Sequence, residues 1–267
     1  MKKFASIFLL VIIFSSASLF AQDIKSLRVM TYNIHHGQGT DGKIDIERIG
    51  NLVKDNKAGL VALQEVDRGV LRSNKIDIMQ LLKSQTGMYT AFGKNLDFQG
   101  GEYGNGILSK FPVDTISNYH YKMLREGEQR GLLQTIVEVN GEKMVFLATH
   151  TGDKNTEAEK LVNAEEMKTI LKSYRGMPVI LCGDFNDRPE KSTMHDSLTT
   201  YFVDVWQYLH KDEGYSFPSD KPDRRIDYIY LSKDALKKLK PVSITVLKSE
   251  ASDHLPLIAE FELLDNK

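Results

Sequence analysis

The chain has 267 residues, 41% hydrophobic and 27% charged, with 35 basic against 36 acidic side chains. That supplies a sizeable core for one large domain or two small ones and excludes a disordered, collagen-like or low-complexity chain. A formal charge of −1 gives no overall electrostatic reason to expect a polyanionic partner, and a single cysteine excludes an intrachain disulfide and a cysteine-based zinc cluster.

In chain order, the first predicted element is an export signal. Lys2 and Lys3 precede an apolar run from Phe4 to Phe20, and a small residue, Ala21, stands before the polar Gln22. That order is the signature of a secretory signal peptide over residues 1–21, with one mature domain over 22–267. An uncleaved membrane anchor is the rival reading, because the run approaches a spanning length. Cleavage would remove Lys2 and Lys3 and shift the net charge from −1 to −3. The expected location is periplasmic or extracellular, and the expected state is a monomer with no obligate protein partner.

Leu27–Ile34 reads as a strand entering a Gly-rich loop from His35 to Gly42. Asp45 caps a predicted helix to about Lys57, with Ile46, Ile49, Leu52 and Val53 on one face. A buried strand at Leu60–Gln64 and a helix at Ile76–Thr86 follow. Short strands are expected at Thr90–Gly93, Gly106–Ser109, Leu132–Val139 and Lys143–Thr149. A long helix spans about Glu157 to Tyr174, and Pro178–Cys182 is another buried strand. Ile226–Leu231, Pro241–Leu247 and Leu255–Phe261 complete the set, with Lys237, Lys238 and Lys240 on an expected surface helix. Many strands with few helices predict sheet packed on sheet, covered outside by helices.

The polar residues fall at the ends of these strands. Tyr32-Asn33, Gln64-Glu65, Thr149-His150, Gly183-Asp184-Phe185-Asn186 and Arg225-Ile226-Asp227-Tyr228 each close or open an apolar run, and Ser252-Asp253-His254 precedes the last strand. Asn and Asp commonly cap or turn a chain at such points. Six junctions offering Asn, Glu, Asp and His together point instead to a hard-cation site with acid–base partners.

In that order, these motifs resemble the endonuclease/exonuclease/phosphatase superfamily, and the resemblance covers essentially the whole mature chain. Gly-Asp-Phe-Asn and Ser-Asp-His are its specific parts. The superfamily includes pancreatic-type deoxyribonucleases, abasic-site endonucleases, neutral sphingomyelinases and inositol polyphosphate 5-phosphatases. The resemblance implies an α/β four-layered sandwich, with two mixed β-sheets face to face flanked by helices. It also implies divalent-metal-dependent hydrolysis of a phosphoester.

Carried over residue by residue, the resemblance makes Glu65 the ligand of Mg²⁺ or Mn²⁺, with Asn33 beside it and Asp253 near the metal. His254 is the expected base toward the attacking water, oriented by Asp227. Asp184 orients or helps deprotonate the nucleophile, and Asn186 donates to a phosphoryl oxygen. His150, as an imidazolium, stabilises developing charge. Asn105, Arg72 and His36 are weaker expected phosphate or substrate contacts, Arg72 equally fitting a surface ion pair. His35 and His36 are poor joint metal ligands if extended, because adjacent side chains on a strand diverge. Glu128-Gln129-Arg130-Gly131 offers only its polarity, while Cys182 and Trp206 read as core.

The absence of a dense basic cluster counts against a nucleic-acid groove. The stretches around Asn33–Gly37, Gln64–Ser73 and Tyr103–Ser109 look closer to exported bacterial members and to domains acting on lipid or glycolipid head groups, including those linked to GPI-anchor remodelling. A lipid-linked or small phosphodiester is therefore the favoured substrate. A secreted DNA or RNA nuclease is the alternative, and a non-catalytic binding module on the same fold is the second.

Overall fold

The computed structural model describes residues 24–152 and 156–264, so the predicted leader lies outside the described residues. The N-terminal half runs β1 (Ser26–Asn33), α1 (Ile46–Asp55), β2 (Leu60–Arg68), α2 (Ile78–Thr86), β3 (Tyr89–Phe98) and β4 (Gly101–Ser109). Next come β5 (Val113–His120), β6 (Gly131–Val139), β7 (Glu142–His150), α3 (Glu157–Lys172) and β8 (Val179–Asp184). The chain ends through α4 (Thr193–Thr199), β9 (Phe202–Asp204), α5 (Val205–Leu209), β10 (Asp227–Ser232), β11 (Leu239–Val246) and β12 (Leu257–Leu263). Local chemistry sets the helix starts. Asp45 accepts from the Glu47 and Arg48 amides at 3.0 and 3.4 Å, and Asp77 accepts from Gln80 at 3.0 Å.

Two six-stranded sheets result, ordered β11-β12-β1-β2-β4-β3 and β5-β6-β7-β8-β10-β9. Both are mixed, because β1 pairs parallel with β2 and β7 parallel with β8. Successive side chains on the central strands serve two different cores. Leu27, Val29, Leu60 and Ala62 face the other sheet and meet Phe146, Ala148, Ile180 and Cys182. Their neighbours Met30, Tyr32, Val61 and Leu63 pack outward on Ile49 and Val53 of α1 and Leu82 of α2. On the far side Val145, Leu147 and Leu181 pack outward on Met167 of α3 and Leu198 of α4. Burial on both faces is why these strands read as unbroken apolar runs. The four-layered sandwich expected from the sequence is the architecture found.

Two sequence readings are corrected. Lys237, Lys238 and Lys240 do not share a surface helix, since a single 3₁₀ turn at Ala235–Lys237 gives way to β11. Pro241 is tolerated there because β11 is an edge strand with a register shift between Pro241 and Ser243. Strand β5 was not foreseen, because as the edge of its sheet it is largely exposed and lacks apolar alternation. Among the described residues no helix is long and apolar enough to cross a membrane.

Register then brings the polar strand ends together. His150 pairs with Asp184 across β7–β8, and Asp184 pairs with Asp227 across β8–β10. Gly183 makes that closeness possible, since a Cβ there would lie 2.2 Å from the Thr149 carbonyl oxygen. Gly183→Ala should force β7 from β8 and lower stability by about 1–3 kcal/mol, the range for overpacking a buried position. Urea denaturation measures it, and an unchanged midpoint would contradict the close approach.

Candidate active site

The side chains meet at one edge of the sandwich, where β1, β2, β7 and β8 end and β10 begins. Asp184 closes β8 with 1% of its surface exposed. Its Oδ2 lies 3.4 Å from His150 Nε2 and 3.6 Å from His254 Nε2. The Asn186 amide donates to its Oδ1 at 2.9 Å. His254 Nδ1 meets Asp227 Oδ2 at 2.9 Å, and Ser216 Oγ donates to the same oxygen at 2.7 Å. Asn186, with φ 47, lies with its amide nitrogen 3.1 Å from His150 Nε2 and 3.0 Å from the Thr151 carbonyl, to which it donates. The five residues expected to carry the chemistry therefore form one contiguous cluster, buried except for the half-buried Asn186.

Glu65 arrives by a backbone irregularity. The register of β2 against β4 shifts between Leu63 and Val66, and Glu65 takes φ 58 inside the strand. A bulge of this kind re-aims a side chain, here turning a carboxylate into the cleft from a strand otherwise buried on both faces. Asn33, at the end of β1, donates its Nδ2 to Glu65 Oε1 at 3.1 Å and to Asp184 Oδ2 at 3.0 Å. Its Oδ1 accepts from the His35 amide at 3.0 Å. Asn33 was expected as a metal ligand. Here its amide nitrogen fixes the two carboxylates relative to each other.

The two histidines differ in protonation. Burial disfavours protonated His150, and the Arg130 guanidinium adds to this, holding its pKa well below the usual value. Arg130 Nη1 lies 2.9 Å from His150 Nδ1 and can only donate, so the ring is neutral with its proton on Nε2. Burial also penalises the His254 cation, but Asp227 and Asp184 outweigh it and raise the pKa to about 10. Asp184 is raised to about 7, chiefly by burial, with Asp227 adding to it and His254 opposing. The sequence reading gave the cation to His150 and the neutral base to His254. The surrounding charges favour protonation of His254 over protonation of His150.

The weaker expectations divide. Asn105 is corrected: it is fully buried between the sheets, its Nδ2 donating to the Gly131 carbonyl at 3.0 Å. Tyr103, one pleat nearer the end of β4, lines the cleft instead. Arg72 forks onto buried Asp67 at 2.9 and 3.0 Å and lies over the Phe98 and Tyr103 rings, yet still lines the cleft. His36 is buried, and burial, then Arg72 and His35, pull its pKa down to about 4. Asp253 lines the cleft, with Oδ1 3.7 Å from His35 Nδ1. The cleft is about 800 Å³ and admits Arg130, which sequence reading noticed only as part of a polar stretch. The signal was there in its position, immediately before the Gly131 that pairs with His150.

The sequence pattern of the Endonuclease/Exonuclease/phosphatase family matches residues 30–254. The chain belongs to that family. It is 24% identical over 251 residues to YbhP of Escherichia coli (strain K12), described as uncharacterized, spanning 89% of this chain and 97% of YbhP. A family structure from Bacteroides vulgatus has a TM-score of 0.75 at 18% identity, covering 90% of this chain and 100% of that one. A mannosyl-6-phosphatase from Bacteroides thetaiotaomicron VPI-5482 has a TM-score of 0.71 at 17% identity, with 90% and 100% covered. These structures share the two-sheet fold.

This endonuclease/exonuclease/phosphatase family is one of phosphoesterases, generally dependent on a divalent metal, and the donors here fit such an ion. Glu65 and Asp253 face the cleft with carboxylate oxygens, and the buried His36 Nδ1 lacks a hydrogen-bond partner among the described residues. Bound there, a divalent cation supplies Lewis acidity toward a phosphoryl oxygen.

A carboxyl whose folded pKa is raised to about 7 contributes stability at low pH that is lost as the pH climbs from the usual carboxylate range through that value. In chelator-containing buffer, the stability difference between Asp184→Asn and the parent should therefore shift in the variant's favour between about pH 4.5 and pH 7.5. Thermal melts across that range measure it. A difference that stays constant with pH would contradict the buried-charge account.

Proposed function

We propose that this protein is an exported, Mg²⁺- or Mn²⁺-dependent phosphodiesterase acting on a lipid-linked or small phosphodiester. The observation that carries the substrate class is the charge balance of the cleft. Arg72, Arg125, Arg130, Arg188 and Arg224 line it, but so do Glu65, Glu126, Glu128, Asp184 and Asp253. A polynucleotide groove needs a cationic excess along the backbone path. Here five arginines and the His254 cation share with five carboxylates the lining of a cavity of about 800 Å³, a volume suited to one small head group. Phe98, Tyr103, Met123 and Phe217 add an apolar wall for the leaving portion.

In this reading Asp184 takes the proton of the attacking water, because its pKa of about 7 matches neutral operating pH. The His254 imidazolium, backed by Asp227, and the neutral His150 Nε2–H donate to phosphoryl oxygens as negative charge builds. Asn186 offers its second amide N–H to the same group. Arg130 acts through His150 as a positioning residue, holding its tautomer. Glu65, with Asp253, holds the cation. Lys2, Lys3 and the apolar run to Phe20 support export.

One screen at about 150 mM salt tests the substrate class, comparing plasmid DNA, RNA, sphingomyelin, phosphoinositides, a glycolipid preparation and inositol phosphates with Mg²⁺ or Mn²⁺. Release of a phosphorylated head group should far outpace DNA cleavage per enzyme. Efficient DNA degradation with every lipid and inositol substrate untouched would overturn the reading in favour of a nuclease.

A further inference from the structure

We propose that His35, His36 and Glu65 form a mixed nitrogen–oxygen metal site that selects a first-row transition ion over Mg²⁺. The proposal rests on Glu65 as a cation ligand and adds two imidazoles to it. One nitrogen of each ring and a Glu65 carboxylate oxygen all lie within 4.8 Å of one another. A small rotamer adjustment closes that spacing to the roughly 3–3.5 Å separating ligands around a bound ion.

Adjacent side chains would diverge on an extended strand, but this backbone is not extended. After β1 the chain makes one 3₁₀ turn at His35–Gly37, with His35 at φ 44 and His36 at φ 46. The two ring centroids are consequently 4.5 Å apart, edge to face. Glu65 sits at φ 58 on its bulge. All three donors therefore occupy left-handed backbone that residues with a Cβ rarely adopt, and such strain clusters where a ligand is clamped.

A second observation is independent of the backbone. His36 is 7% exposed, and its Nδ1 is buried without a hydrogen-bond partner among the described residues. A buried polar atom ordinarily finds a partner, and a bound cation is one. Asp253 Oδ1, 3.7 Å from His35 Nδ1, brings a second carboxylate to the same point.

The donor set decides the ion. Two imidazoles and one carboxylate leave open positions, as catalytic transition-metal sites do. Imidazole suits iron, nickel and zinc ions, and the larger Mn²⁺, first in the affinity order of the divalent transition ions, accepts it more readily than Mg²⁺, which keeps oxygen ligands and several waters.

Chelator-stripped protein is titrated calorimetrically with MnCl₂ and MgCl₂, and its visible spectrum is followed with CoCl₂. The variants are His35→Asn/His36→Asn, since Asn tolerates left-handed backbone, and Glu65→Gln, each checked for fold by circular dichroism. The parent should bind Mn²⁺ at least about tenfold more tightly than Mg²⁺. The double variant should lose at least about tenfold in Mn²⁺ affinity, lose the Co²⁺ bands, and change less than about threefold toward Mg²⁺. If the double variant fails to fold, single His36→Gln carries the same expectation. Unchanged Mn²⁺ affinity, or equal losses for both ions, would overturn the proposal. Loss of both ions in Glu65→Gln but of neither in the histidine variants leaves the oxygen-bound cation and the phosphodiesterase reading standing while this inference fails. No binding in the parent defeats both.

Discussion

Asp184 is a carboxylate sealed into the edge of two sheets with a histidine on either side, and the site is organised around the free energy of burying it. An isolated carboxylate in that environment would take up a proton. Three groups oppose this: the His254 cation, the Asn33 amide, which donates to Oδ2, and the Asn186 backbone amide, which donates to Oδ1. The result is a carboxyl raised to about 7 rather than far above it. The same balance explains why His254 must be charged and His150 must not. Asp184 lies near both rings, but His254 also has Asp227 on its Nδ1, whereas His150 has the Arg130 guanidinium on its Nδ1.

Burial of this kind needs accurate register, and the fold supplies it at several points. Parallel pairing of β7 with β8 and antiparallel pairing of β8 with β10 set His150, Asp184 and Asp227 side by side, with Gly183 allowing the strands to close. What the ladders cannot do, local strain does. His35, His36, Glu65 and Asn186 all have positive φ, and each turns a polar side chain toward the same edge. Such conformations cost of order 1–3 kcal/mol each and persist only where packing over-determines them. Tyr32, Val61 and Leu63 on the outer core and Ala62 and Ile107 between the sheets provide that packing.

The sandwich and the polar cluster at its edge were legible because unbroken apolar runs and polar strand ends are local patterns. Asp184, Asn186, Asp227 and His254 could be named from Gly-Asp-Phe-Asn, Arg-Ile-Asp-Tyr and Ser-Asp-His before any contact was visible. Charge states were not legible. They depend on which residue faces which across the sheets, and nothing in Thr149-His150 announces that Arg130 reaches its Nδ1. Asn105 illustrates the same limit: Tyr103 and Asn105 share a face, and only the depth of the strand decides which one reaches the cleft. The convergence of His35 and His36 was missed because a left-handed turn was not foreseen where two β-like residues follow a strand.

Of the two histidines around Asp184, His254 is the cation and His150 the neutral ring. Selective ¹⁵N labelling of histidine, with ring nitrogen shifts followed by NMR in chelator-containing buffer near pH 7.5, reads both directly, and His150→Gln and His254→Gln assign the signals. The account predicts one ring protonated on both nitrogens that disappears in His254→Gln, and one neutral ring with its proton on Nε2 that disappears in His150→Gln. A neutral His254 or a cationic His150 at that pH would contradict it.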